Sequence, residues 1–88
     1  MTSRSVRIRN APGLHARAAA RFVKLAGTFD SRVHVTRGPR TMDGKSILGV
    51  LLLAAARGAD IAISADGPDE AEAVDALCAL VDRGFEDR

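Results

Sequence analysis

The spacing of apolar residues changes period several times along this chain, and the order of those changes leaves few folds open. Val6 and Ile8 alternate with Arg7 and Arg9, which predicts a half-buried strand over residues 5–9, and Asn10-Ala11-Pro12-Gly13 then breaks the chain. From Ala16 the period becomes helical. Ala19, Phe22, Val23 and Ala26 share one face, Arg17, Arg21 and Lys24 lie largely on the other, and Gly27 is the expected stop. Val33 and Val35 restore a period of two, Gly38-Pro39 supplies a turn, and residues 40–42 return as a short partner strand. Ser46 is a good N-cap for a second helix from Ile47 to about Ala55, closed by Arg57-Gly58-Ala59. Ile61, Ile63 and Ala65 mark a last strand. Asp66-Gly67-Pro68 opens a third helix with Asp69 and Glu70 in its first turn and Val74, Leu77, Cys78 and Val81 along its apolar stripe.

Strand, helix, strand, strand, helix, strand, helix is the order of an α+β domain. A hairpin joins strands two and three, and helices connect one to two and three to four, so the fourth strand slots between the first and second. The expectation is an open-faced sandwich. It has one four-stranded antiparallel sheet ordered 1-4-2-3, three helices on one face, and Arg7, Arg9, Arg32, His34 and Thr36 on the face left to solvent. Eighty-eight residues are too few to divide and still bury two cores, so residues 1–88 are read as a single domain.

Composition excludes several functions. The lone Cys78 permits no intramolecular disulfide framework and no Cys/His zinc spacing; it reads as a small buried hydrophobe, and neither metal nor cofactor is expected. The longest apolar run, residues 47–56, falls well short of the roughly 20 residues that span a bilayer, and no hydrophobic signal core follows the polar N-terminus. A cytoplasmic protein without membrane insertion is the expectation. Residues 1–57 hold eleven of the thirteen Lys and Arg with only Asp30 and Asp43 as acids, whereas residues 58–88 hold nine of the eleven acids. A basic body of this kind raises nucleic-acid binding. An RNA-reading sheet needs exposed aromatics for stacking, however, and Phe22, Phe29 and Phe85 all fall outside the predicted strands. No nucleic-acid partner is expected, and the basic segment points instead to steering toward acidic protein surfaces.

Gly13-Leu14-His15-Ala16-Arg17 places a histidine where a turn becomes a helix. A helix start offers unpaired amides, here those of Ala16 and Arg17, and a partial positive charge that suits an anion beside the imidazole. Gly13 allows a tight bend, and Arg17 adds a permanent cation whose donors fork onto oxyanions. A cation-lined nucleophilic nitrogen suits phosphoryl transfer, although a histidine at a helix start is often only a polar terminus. No acid lies near His15 in sequence to orient it, and no Ser or Cys is placed for a hydrolase triad, so a self-contained enzyme is not expected. His34, at an outward strand position, reads as solvent-facing.

Residues 10–17, Asn-Ala-Pro-Gly-Leu-His-Ala-Arg, closely resemble the phosphorylation-site segment of the HPr/NPr family, the histidine-containing phosphocarriers of the bacterial phosphoenolpyruvate-dependent phosphotransferase system. Lys45-Ser46-Ile47-Leu48-Gly49-Val50 resembles the family's serine-site segment, and Gly58-Ala59-Asp60-Ile61 with Ala65-Asp66-Gly67-Pro68 is similar to its last strand and turn. The resemblance implies that His15 accepts a phosphoryl group on Nδ1 from phospho-Enzyme I and passes it to an EIIA-type acceptor, with Arg17 stabilising the phosphate. It also implies a regulatory reading of Ser46 as the target of an HPr kinase/phosphorylase, beside its plain reading as an N-cap. Ile47, Leu48 and Leu51 match the family's apolar docking patch, rimmed by Arg17, Arg21, Lys24 and Lys45. A carrier that alternates partners is expected to work as a monomer.

Ala18 departs from the family pattern, in which proline commonly follows the arginine. The serine block resembles kinase-regulated members, whereas Thr28-Phe29-Asp30 and Arg83-Gly84-Phe85-Glu86-Asp87 resemble the nitrogen-related regulatory branch, in which the chain would act mainly as a phosphorylation-dependent interaction module.

Overall fold

Four strands and three helices are present in the computed structural model, which describes residues 1–86. The elements are β1 (Thr2–Arg7), α1 (Ala16–Ala26), β2 (Arg32–Arg37), β3 (Arg40–Asp43), α2 (Ile47–Leu52), β4 (Asp60–Asp66) and α3 (Glu70–Asp82). The sheet is antiparallel throughout and ordered β1-β4-β2-β3, as the connection lengths require.

Period-two patterning decides which way this sheet faces. Val33 and Val35 of β2 and Ile61, Ile63 and Ala65 of β4 are at most 1% exposed, while their strand neighbours Arg32, His34, Asp60 and Asp66 lie in solvent. All three helices therefore cover one face. Phe22 and Ala19 of α1, Val50 of α2, and Val74, Leu77 and Val81 of α3 close the core with the inward strand residues. Full burial of a side chain such as Phe22 or Leu77 contributes about 1.5–3 kcal/mol. Cys78 is buried in that core, and burial pushes its thiol upward.

Four expectations need correcting. The first strand runs over Thr2–Arg7 rather than residues 5–9, because Thr2, Ser3 and Arg4 find ladder partners in Ala65, Ser64 and Ile63. Arg9 consequently lies beyond the strand and leaves the open face, its Nε donating to Asp82 of α3 at 2.8 Å. The second helix stops at Leu52 instead of running to about Ala55: Ala54 takes a left-handed backbone (φ 50°), which frees the buried Ala55 to bond elsewhere. Asp69 stands just before the third helix, not inside its first turn. Its carboxylate accepts from the amides of Asp30 and Ser31 at 2.9 Å and from the Ser31 hydroxyl, fastening the α1–β2 loop.

The basic and acidic parts of the sequence also meet in space. Arg4 pairs with Asp75, Arg7 with Asp60 and Arg9 with Asp82, so the arginines around β1 are matched by acids of β4 and α3. Lys24 and Arg17, by contrast, sit exposed on α1.

Candidate functional site

His15 is the N-cap of α1. Its backbone is extended (φ −79°, ψ 179°), its carbonyl accepts the first intrahelical bond from Ala19 N at 2.8 Å, and its Nδ1 accepts from the Arg17 amide at 3.2 Å. A histidine thus performs the task usually given to Ser, Thr, Asp or Asn. Because Nδ1 accepts, the proton of the neutral ring belongs on Nε2, and the Nδ1 lone pair faces the positive end of the helix. Ala16, the first residue of the helix, and Arg17 are both exposed, and of the two amides expected to face an anion that of Arg17 is engaged by Nδ1.

The loop before His15 is held from two sides. Asn10 Nδ2 donates to the Gly13 carbonyl at 2.9 Å, and the Leu14 amide donates to the Ala55 carbonyl at 2.9 Å, with the Leu14 side chain buried. Gly13 is required at this approach. It adopts φ +96°, and a Cβ there would lie 2.3 Å from the Ala55 carbonyl oxygen and 2.8 Å from Ala56 Cα. The segment leaving α2 is therefore the floor on which the His15 loop rests.

His15, Arg17 and Arg21 border one open depression of about 610 Å³, together with Asn10, Phe85 and Glu86. The last two arrive from the far end of the chain. Gly84 and Phe85 are both left-handed (φ 68° and 64°) and turn the backbone toward α1, where Arg21 Nη1 donates to the Phe85 carbonyl at 3.1 Å. No acid lies near His15 in sequence, but the fold brings Glu86 to the rim of its depression. Only the Gly84 preceding Phe85 hinted at such a turn.

The remaining candidates lie on α1 and around the start of α2. Ser46 is the N-cap of α2, its Oγ accepting from the Gly49 amide at 3.1 Å. Ile47 and Leu48 are 44% and 64% exposed, and the third open apolar side chain of α2 is Leu52 at 52%, whereas Leu51 is half-buried against the core. Leu48 and Leu52, four residues apart, share the open side of α2, whereas Leu51 is turned toward the core. Lys45 Nζ is committed to the Phe29 carbonyl at 2.6 Å, and Lys24 lines a second depression with Arg21, Leu25 and Arg83, beside that of His15. Ala18 is buried in the first turn of α1, so the residue in place of proline packs inward.

The family model described as "PTS HPr component phosphorylation site" matches residues 2–83. Phosphocarrier protein HPr of Cupriavidus necator is 49% identical over 85 residues, covering 97% of this chain and 96% of that protein. Phosphocarrier protein NPr of Shewanella violacea is 40% identical over 84 residues, covering 96% and 92%. The crystal structure of HPr-C-His from Thermoanaerobacter tengcongensis superposes with a TM-score of 0.95 at 38% identity, covering 100% of this chain and 99% of that one. Matched along nearly its whole length in sequence and in fold, the chain belongs to the HPr family of phosphocarrier proteins of the phosphotransferase system.

Proposed function

We propose that this chain carries a phosphoryl group on His15 Nδ1, taken from phospho-Enzyme I and delivered to an EIIA-type acceptor. The observation that carries this reading is the hydrogen bond from the Arg17 amide to Nδ1, which leaves the nucleophilic lone pair at the positive end of α1. As the donor's bond to phosphorus breaks, the new P–N bond forms at Nδ1 and the ring proton stays on Nε2. The Arg17 amide then turns from the ring nitrogen to a phosphate oxygen, and the exposed guanidinium of Arg17 neutralises the added charge. A site at the surface holds phosphate without enclosing it, as a reversible carrier needs.

Docking of donor and acceptor on Ile47, Leu48 and Leu52, with Arg17, Arg21 and Lys24 facing acidic partners, fits the apolar exposure of α2. Ser46 at the edge of that patch is the proposed target of an HPr kinase/phosphorylase, because a phosphate at a helix N-cap is tolerated by the fold while recharging the docking surface.

Incubation with phosphoenolpyruvate and Enzyme I tests the central step. Stoichiometric, acid-labile label is expected on the wild type and none on His15→Ala; label that persists on that variant overturns the assignment. Addition of acceptor proteins from the sugar-uptake and nitrogen-related branches, one at a time, identifies the physiological recipient.

A further inference from the structure

We propose that Arg37, assisted by Arg40, is a positioning residue for His15, acting through the segment that leaves α2; this rests on the reading of His15 as the phosphoryl acceptor. Both arginines flank the Gly38-Pro39 turn of the β2–β3 hairpin, which contributes nothing to the His15 depression. Arg37 Nη1 donates to the Leu53 carbonyl at 3.1 Å and Arg40 Nη1 to the Leu52 carbonyl at 3.0 Å.

These are the carbonyls at the C-terminal end of a six-residue helix, where orphan acceptors and negative partial charge favour cations. A helix this short is marginal by itself, so its exit depends on what grips it. The exit is also strained. Leu53 is fully buried, and Ala54 then adopts a left-handed backbone that a residue with a Cβ takes only when its surroundings enforce it. The next residue, Ala55, supplies the carbonyl that holds the Leu14 amide and against which Gly13 is packed. A continuous path of hydrogen bonds and three consecutive residues therefore runs from the Arg37 guanidinium to the residue preceding His15. Release of the Leu53 carbonyl lets Ala54 relax and withdraws the floor of the phosphosite loop.

The test compares Arg37→Ala, Arg37→Lys and Arg32→Ala. The last removes the same charge from the open sheet face, away from this path. In Arg37→Ala the Leu14 amide should exchange with solvent on the order of tenfold faster, and the ¹⁵N resonance of His15 Nδ1 should move. The kcat for phosphoryl transfer from phospho-Enzyme I should fall on the order of tenfold with little change in KM, as expected for a misplaced reacting group. Arg37→Lys, which keeps one donor, should recover part of each effect, and Arg32→Ala should match the wild type. Unchanged Leu14 exchange and an unmoved His15 resonance in Arg37→Ala overturn the proposal, as does an equal kinetic loss in Arg32→Ala. Should Arg37→Ala fold poorly by circular dichroism, Arg37→Gln is read on the same scales, because its shorter amide loses the reach to Leu53. Failure of the wild type to take label would remove the function proposed for His15, whereas the exchange and resonance readings would still decide whether Arg37 positions it.

Discussion

The main-chain amide of Arg17 points at the Nδ1 of His15 across 3.2 Å, so one nitrogen serves as helix cap and as candidate nucleophile. The two roles separate by substitution. Asparagine caps helices well and cannot carry the phosphoryl group, whereas alanine does neither. His15→Asn should melt close to the wild type and His15→Ala should lose about 0.5–2 kcal/mol, while both fail to take label from phosphoenolpyruvate and Enzyme I. Thermal denaturation beside the labelling assay checks the pair.

Arg17 contributes through two separable groups. Arg17→Ala keeps the amide that meets His15 and removes only the guanidinium, which lies on the surface of the same depression. A lost hydrogen bond to a charged group is worth about 1.5–3 kcal/mol, so transfer should slow about ten- to a hundredfold with the melting temperature unchanged. Stopped-flow phosphotransfer measures the first, and a calorimetric scan the second.

Ala54 holds a backbone conformation that suits glycine, at an exposed position where its methyl group adds little packing. A left-handed non-glycine residue costs about 1–2 kcal/mol, and the extra freedom of glycine in the unfolded chain returns about 0.5–1 kcal/mol of that. Ala54→Gly should therefore stabilise the fold by about 0.5–1 kcal/mol, a rise of a few degrees in Tm. Denaturant titration provides the number, and a loss of stability would show that Ala54 is not strained.

That residue also shows where sequence reading stops. Val33, Val35, Ile61, Ile63 and Ala65 declared their strands because one buried face imposes a period of two, and the order of elements then fixed the sheet. Leu53, Ala54 and Ala55 are ordinary helix formers, and nothing local ends the helix before them. The end comes from bonds to Leu14 and Arg37, both distant in sequence. Thr2, Ser3 and Arg4 carry no apolar alternation and are strand only because β4 offers them a ladder. His15 and Arg17 were legible as candidates because a turn, a helix start and the family's motif coincide there. Glu86 was not, since a left-handed turn at Gly84 and Phe85 delivers it from the far end of the chain.

Two carboxylates at the start of α3 are held below the usual carboxylate range. Glu70 is held down to about 2, first by the Thr2 hydroxyl at 2.6 Å, then by the Met1 amino group and the Gly67 amide. Asp69 is lowered by the Ser31 hydroxyl and the amides of Asp30 and Ser31. A carboxylate whose value falls on folding adds stability that is complete above its ordinary range near 4.5 and is lost as pH drops toward about 2. Stability should therefore decline between these limits. Asp69→Asn and Glu70→Gln should each flatten the decline while lowering stability at neutral pH, as melts recorded from pH 7 to pH 2 would show.

Ser46 allows the fold and the docking surface to be perturbed independently. Its Oγ caps α2 through the Gly49 amide at 3.1 Å, and Ile47 and Leu48 stand exposed immediately beside it. Aspartate retains a capping oxygen and adds charge favourable to the helix start, so Ser46→Asp should melt within about 0.5 kcal/mol of the wild type. On the proposed docking surface the same charge would face the incoming partner. Lys45 offers it little relief, because its ammonium is already held on the Phe29 carbonyl. Ser46→Ala has the opposite character, losing the cap at a cost of about 1 kcal/mol while leaving the surface neutral. Transfer from Enzyme I should accordingly be slow in the stable Ser46→Asp protein and normal in the weakened Ser46→Ala protein. Equal rates in the two variants would place the docking surface away from the start of α2.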